Sequence, residues 1–335
     1  ICAGFQQGDF KLYDDVMRFG AACDVITVEI EHVNVDALEA LERLGKKVFP
    51  QPRVLRIIQD KGLQKEFYRL NGIPTSEFRL VSNRSDLQKH VDLFPVMQKL
   101  RTSGYDGRGV MPLKSTDDLA NAFDEPSMIE RKVDIDQEIS VIVSRNEKGE
   151  VSHFPVVGME FNSEANLVEY LFSPAEVDAT LEKEAIRIAR QVIEKLEMVG
   201  LLAVEMFISR KGELLVNEIA PRPHNSGHQT IEGNTVSQYE QHLRAILGLP
   251  PGDTSIVKPA VMVNLLGAKG HSGPAVYEGL EALMQIPGAY VHLYGKRDTK
   301  PFRKMGHVTV TASTIEEAKE MARKIKDLVR VVSGN

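Results

Sequence analysis

The sequence predicts a mixed α/β and α+β protein made of three successive parts. Three observations carry that reading. The chain opens with strand–helix–strand order, its middle sets an amphipathic helix ahead of a β-hairpin, and its last part is strand-rich beyond a proline–glycine linker. With 335 residues, 42% hydrophobic and 26% charged, the composition is that of a globular protein long enough to bury a sizeable core.

Residues 21–30, AACDVITVEI, read as a short buried strand with β-branched Val25, Ile26, Val28 and Ile30. The helix after it, in NVDALEALERLGKKV, spaces Leu38, Leu41 and Leu44 along one face and stops at Gly45. VFP gives a second strand, so residues 1–55 form a partial doubly wound unit that lacks an opening strand and glycine-rich turn. Residues 53–71 carry a helical pattern rich in Lys and Arg, closed by NGIP. Short strands and helices then alternate to about residue 145. LEKEAIRIARQVIEKLEMVG is amphipathic, with Leu181, Ala185, Ile188, Ala189, Val192 and Leu196 on one face and Gly200 as its stop. LLAVEMFIS and ELLVNEIA form a hairpin turning at Lys211-Gly212. GLPPGDTS links this middle domain, 56–250, to a C-terminal domain, 251–335, that closes on a helix with Thr314 and Glu317 spaced as a capping box.

The net charge of −6 argues against a general nucleic-acid binder, but not against a local cationic site for a small anion. Cys2 and Cys23 form no CxxC pair, which makes a disulfide scaffold or a cysteine zinc site a poor expectation and points to a reducing cytoplasm. No apolar run is long enough to span a bilayer, and no signal peptide is visible, although the sequence starts at Ile1.

The hairpin carries the most specific chemistry. With Lys211 and Gly212 as turn residues, Glu205 falls opposite Glu218 and both carboxylates emerge on one face. At about 5 Å and an effective dielectric of about 20, their repulsion is about 3 kcal/mol. A divalent hard cation such as magnesium would offset it. A lysine between them, one Glu turned to solvent, or a register slipped by one residue would serve as well. Upstream, VMQKLRTSGYDGRGV places Lys99 on a strand before Gly104, Gly107 and Gly109, a turn able to approach phosphates closely. It is neither a Walker loop nor a dinucleotide fingerprint. Most glycine-rich turns are only turns; Lys99 and the hairpin make this one a candidate.

TSGYDGRGV, AVEMF, VNEIAPRPHNSGH and YGKRDTKPFRKMGH, in that order, resemble the N5-carboxyaminoimidazole ribonucleotide synthase family of the ATP-grasp superfamily. The resemblance runs from about residue 20 to the end. It implies an ATP-grasp fold preceded by a partial Rossmann-like unit and followed by a small strand-rich domain. The family's opening GGGQLGRM loop has no counterpart here, which predicts a chain cut short at its start, and Lys61 stands where many members carry Arg. The implied reaction joins bicarbonate to the amine of 5-aminoimidazole ribonucleotide at the expense of ATP, through carboxyphosphate, in a cytoplasmic homodimer with no nucleic-acid or membrane partner. A formate-using glycinamide ribonucleotide transformylase of the same superfamily, or a non-catalytic nucleotide-binding module, stands as the alternative.

The same resemblance implies the site. Lys61 and Lys99 contact ATP phosphates, and Gly104, Tyr105, Asp106, Gly107, Arg108, Gly109 and Val110 cover them. Glu130, Arg131, Lys132 and Val133 hold adenine through their backbone, Glu138 holds the ribose, and Asn217 with Glu218 completes the nucleotide site. Glu205 and Glu218 bind Mg2+. Arg222, His224 and Lys296 are catalytic; Asp106, Arg108, His224, Asn225, Lys296, Arg303 and Lys304 meet substrate, with His307 beside that cluster. Without the resemblance Lys61, Lys99, Glu130, Glu138 and the cluster of Lys296, Arg303 and Lys304 read as solvated surface, and His228 as a histidine bonded to loop backbone. A zinc reading of His224 and His228 fails for want of a shared helix face and a third ligand.

Overall fold

The computed structural model describes residues 2–102, 109–162 and 167–334. The N-terminal unit packs helices Tyr13–Gly20 and Val35–Arg43 against a parallel pair, Val25–Ile26 with Lys47–Val48. Its core is Ile26, Val28, Leu38, Leu41 and Leu55. The first strand is shorter than its β-branched residues suggest, because the chain bends after Val28 and leaves Ile30 exposed.

The pattern over residues 53–71 resolves into two helices, Pro52–Gln59 and Lys61–Leu70. Asp60 breaks it. Its extended backbone ends one helix while its carboxylate caps Gly62 and Leu63 of the next and grips Arg101 at 2.6 Å. Lys61 therefore stands at a helix start beside the cleft, which one continuous helix would not allow.

Two sheets follow. A four-stranded antiparallel sheet runs in the order Phe78–Val81, Ser127–Arg131, Val96–Leu100, Val110–Leu113. A nine-stranded sheet runs from the hairpin Leu214–Ala220/Gly200–Ser209 through Ile135–Arg145, Val157–Asn162, Leu167–Ser173, Ala260–Leu266 and Lys304–Thr311 to Ala289–Leu293, with Val151–His153 flanking. The sheet thus continues across the expected linker. Its join, Leu167–Ser173 on Ala260–Leu266, is reinforced where Phe172 lies over Gly158; a Cβ on Gly158 would sit 2.2 Å from that ring.

Helix Ala179–Leu196 covers the hairpin half of the large sheet. Ala185, Ile188, Ala189, Val192, Ile193 and Leu196 bury against Ile139, Val141, Val143, Leu202, Val204 and Met206. Each large aliphatic side chain stabilises by about 2 kcal/mol. The helix ends at Glu197 in the left-handed region (φ 48°), not at Gly200, because Arg53 and Gln51 take the Leu196 and Glu197 carbonyls. Gly200 (φ 117°) opens the next strand under His242. Helix Ile315–Leu328 covers the far half through Ala318, Ala322 and Ile325. Only half its capping box forms: Thr314 accepts from Glu317 N–H, but the Glu317 carboxylate accepts from Ser313.

Candidate active site

Glu205 lies directly across from Glu218. The expected pairing stands, but by a different route. The turn has three residues: Ser209 N–H donates to the Glu213 carbonyl at 2.9 Å, Gly212 N–H to the Ser209 carbonyl at 2.8 Å, and Gly212 takes φ 79°. That shifts the ladder by one residue, pairing Ile208 with Leu214, and a bulge at Asn217 shifts it back. The bulge also turns Asn217 toward Lys99, whose Nζ donates to the Asn217 Oδ1 at 3.2 Å. On the other side, Ser140 pairs with Glu205 and Glu138 with Phe207, so alternation brings Glu138 to the same face.

These carboxylates part in their protonation. Burial, then Glu218, pushes Glu205 up to about 8. Burial likewise raises Glu138 to about 7. Glu218, 48% exposed, is held down at about 2, first by Lys61, whose Nζ lies 3.1 Å away. The lysine alternative is thus realised at Glu218. Lys304 and Lys61 also pull Glu205 down without reversing its rise. Two carboxylates with that much repulsion left suit a hard divalent cation.

Lys99 also meets a carboxylate on its own sheet, Glu130, whose side chain is turned inward. It is 4% exposed, holding Lys99 through Oε1 and Lys65 through Oε2 at 2.8 Å, while Ser76 Oγ donates at 2.6 Å. Arg131 places its guanidinium 3.0 Å from Glu77, and the Arg131 and Lys132 N–H groups bond the Glu77 and Pro95 carbonyls. Beyond them the chain crosses to strand Ile135–Arg145, with Val133 on that crossing. Gly104, Tyr105, Asp106, Gly107 and Arg108 lie outside the described residues. Gly109 (φ 72°) and Val110 lead into the strand opposite Lys99.

The loop after the hairpin is held by Gln238. Its Oε1 accepts from His224 N–H at 2.8 Å, and its Nε2 donates to the His224 carbonyl at 2.8 Å and to His228 Nδ1 at 3.1 Å. Gly227 is required there, since a Cβ would lie 2.3 Å from Gln238 Oε1. Arg222 forks onto Glu31 of the N-terminal unit. His224 Nδ1 accepts from Ser226 N–H at 3.3 Å, which assigns its proton to Nε2, 3.5 Å from Glu205. Burial, then Arg222, lowers His224 to about 4, so the ring is neutral near pH 7. Asn225 starts the short turn after it.

The C-terminal strands close the other flank. Lys304 bears electrostatically on Glu205, His224 and His228. Lys296 Nζ donates to the Lys304 carbonyl at 2.6 Å and lies 5.4 Å from the centre of the Tyr294 ring. Arg303 donates to the Asp298 carbonyl on an exposed turn. Between the flanks three imidazoles stack: His228 on His307 at 4.6 Å and His307 on His292 at 4.5 Å. Tyr294 hydroxyl meets His307 Nδ1 at 3.0 Å, and Glu232 meets His292 at 2.7 Å. His228 faces this stack while His224 faces Glu205, so the two do not converge on one ion.

Sequence reasoning missed Lys65, Glu31, Gln238 and Tyr294. Lys65 had a signal, its four-residue spacing from Lys61 on one helix face. Glu31 had none, because its partner lies 191 residues away.

A small antiparallel sheet and its neighbouring helix, whose lysines face carboxylates on a long second sheet, define the ATP-grasp class of protein. Family models agree along the chain: a ribonucleotide synthetase preATP-grasp domain over residues 1–59, an ATP-grasp domain over 66–239, and a phosphoribosylaminoimidazole carboxylase C-terminal domain over 260–321. The N5-carboxyaminoimidazole ribonucleotide synthase of Synechococcus elongatus is 38% identical over 90% of this chain and 78% of its own. The N5-carboxyaminoimidazole ribonucleotide synthetase of Thermotoga maritima superposes with TM-score 0.89 at 43% identity, covering 98% of this chain and 87% of that one. The Aspergillus clavatus enzyme in complex with ADP and 5-aminoimidazole ribonucleotide gives TM-score 0.88 at 35% identity, covering 96% and 85%. The chain belongs to the N5-carboxyaminoimidazole ribonucleotide synthase family. It spans 56 to 60% of the length of the first relatives named phosphoribosylaminoimidazole carboxylase that it matches. Among the described residues, no helix is long and apolar enough to cross a membrane.

Proposed function

We propose that the protein carboxylates the exocyclic amine of 5-aminoimidazole ribonucleotide with bicarbonate, converting ATP to ADP and phosphate in purine biosynthesis. Three units, residues 1–55, 56–250 and 251–335, meet around one site. The observation that carries this reading is the Glu205–Glu218 pair on one ladder, with Lys61 and Lys99 facing it.

ATP lies between the sheets in this reading. Lys61 and Lys99 meet its phosphates; Glu138, with residues 130–133, meets its nucleoside. Glu205 and Glu218 would hold Mg2+, which supplies neutralisation of the phosphates as the γ-phosphoryl group moves. Bicarbonate oxygen attacks the γ-phosphorus, the bond to the β,γ-bridging oxygen breaks and ADP leaves, giving carboxyphosphate. The amine nitrogen then attacks the carboxyl carbon, the carbon–oxygen bond to phosphate breaks, and the amine proton is lost as phosphate departs. Arg222 binds the anion while Glu31 fixes its fork. His224, neutral with its N–H at Nε2, donates a hydrogen bond to the departing phosphate in this reading. Lys296, Lys304, Arg303 and Asn225 hold the ribonucleotide, and the family resemblance adds Asp106 and Arg108. Closure over the site keeps water from carboxyphosphate. The family resemblance extends the reading to a cytoplasmic homodimer with no nucleic-acid or membrane partner.

The test is phosphate release with ATP, magnesium and bicarbonate, with and without 5-aminoimidazole ribonucleotide. Stimulation by the ribonucleotide is expected, and formate should not replace bicarbonate. Equal rates in both arms, or formate dependence, would overturn the assignment.

A further inference from the structure

Lys65 has no part in the reaction drawn above, yet it is among the most deeply buried charged side chains described, at 2% exposure. Its Nζ has three acceptors: Glu130 Oε2 at 2.8 Å, Thr75 Oγ1 at 2.6 Å and Ser76 Oγ at 3.2 Å. Thr75 spends its own proton on the Val216 carbonyl at 2.7 Å, and Ser76 spends its proton on Glu130. Both hydroxyls therefore accept from Lys65, and three acceptors call for three protons. The geometry is that of an ammonium.

The charge count says what that ammonium is for. Glu130 fixes Lys99 by a direct ion pair, as a phosphate-binding cation must be fixed. A lone carboxylate in that place would also cancel the Lys99 charge and with it the attraction for a nucleotide. With Lys65 on its other oxygen, Glu130 serves two cations, and the buried triad keeps one net positive charge. The same lysine reaches the hairpin: the Val216 that Thr75 bonds immediately precedes Asn217 and Glu218, and Val216 N–H bonds the Pro74 carbonyl at 2.8 Å.

We propose that Lys65 is a charge-balancing positioning residue, which lets Glu130 aim Lys99 at the nucleotide phosphates without neutralising it. The proposal rests on the nucleotide site assigned above and deepens it. It differs from a packing role in one consequence. Removing Lys65 leaves Glu130 and Lys99 as a neutral pair, and removing the Glu130 charge as well restores a net positive Lys99.

The experiment measures the Kd of Mg-ATP by calorimetry for the wild type, Lys65→Met, Glu130→Gln and the double variant, with thermal unfolding of each. Lys65→Met is expected to weaken ATP binding by about tenfold or more, and the double variant to recover most of that loss. A double variant that binds no better than Lys65→Met overturns the proposal, as does an unchanged Kd in Lys65→Met. Should Lys65→Met unfold early, Lys65→Gln, which keeps a donor without the charge, gives the same comparison. Because binding is read directly, stimulation of turnover by aminoimidazole ribonucleotide remains a separate readout, on which the reaction alone depends.

Discussion

The cleft between the two sheets and the histidine seam beside it both hold polar groups away from bulk water, and they do so in opposite ways. In the cleft Glu218, Glu130 and Glu31 stay ionised because each has a counter-charge: Lys61 on Glu218, Lys65 and Lys99 on Glu130, Arg222 on Glu31. In the seam His228 and His307 give up their charge. Burial, foremost, lowers His228 to about 3 and His307 to about 2, and the neutral rings stack, helped by hydrogen bonds from Gln238, Tyr239 and Tyr294. The contrast teaches a division of labour. Net charge is kept where a polyanion is to be bound, and a neutral contact is used where the C-terminal strands need only hold their place.

The largest effect expected on that contrast is at Glu218. Glu218→Gln removes charge from the cleft alone, leaving the seam and the sheet intact. Activity should fall about a hundredfold or more, about 3 kcal/mol in kcat/KM. A variant that keeps a tenth or more of wild-type phosphate release under aminoimidazole ribonucleotide would break the proposed division.

Much of this architecture was open to reading in advance, for reasons that differ by element. Helix Ala179–Leu196 and the hairpin declared themselves because one face of each is buried and local periodicity records that burial. The Asn217 bulge was hidden. A two-residue turn without a bulge and a three-residue turn with one give the same Glu205–Glu218 pair, so pattern alone cannot separate them. The break at Asp60 was hidden too, since Lys and Arg on both sides continue a helical pattern and only the cap and Arg101 reveal the boundary. Of the site, the groups lying in local motifs were legible, whereas Glu31 on Arg222 and the seating of Glu130 between two lysines depend on contacts made only by the folded chain. The glycine loop Gly104–Arg108 was singled out from sequence and lies outside the described residues.

The seam is tested next by His307→Ala. The ring is stacked on both faces, so its loss leaves a cavity and should lower stability by about 2–3 kcal/mol. Mg-ATP affinity should stay within about twofold of wild type, because His307 has no contact with the cleft's charges in this division. Denaturant unfolding with parallel ATP titration decides the point, and a large loss of affinity would merge the two regions into one.

Acid separates them more finely. His228 and His307 have folded pKa values below the ordinary 6.5, so the unfolded chain binds their protons first. Their stabilisation is full above pH 6.5 and drains away as pH falls toward 3 and 2. Glu218, depressed from 4.5 to about 2, contributes above pH 4.5 and loses its share only below that. Between pH 6.5 and 4.5 the seam should therefore respond while Glu218 does not. His307→Phe keeps an aromatic ring without a proton site. Its stability should fall less steeply than wild type across that window, by up to about 1.4 kcal/mol per pH unit. Parallel curves for the two proteins would remove the neutral-ring account of the seam.

The smallest effect belongs to Tyr239. Two donors, Tyr239 hydroxyl and Gln238 Nε2, each lie 3.1 Å from His228 Nδ1, which has a single in-plane lone pair to offer. Tyr239→Phe removes one donor and keeps a ring nearly parallel to His228 at 6.1 Å. Gln238 also clamps the His224 backbone at two points, so it stays in place and takes the lone pair alone. The cost should be below about 1 kcal/mol, the net worth of one replaceable neutral hydrogen bond. A thermal melt lowered by no more than a few degrees is the expected reading. A loss as large as that of His307→Ala would mean that hydrogen bonding rather than ring stacking holds the neutral side of the molecule together, and the contrast with the cleft would then be one of donor type instead of charge.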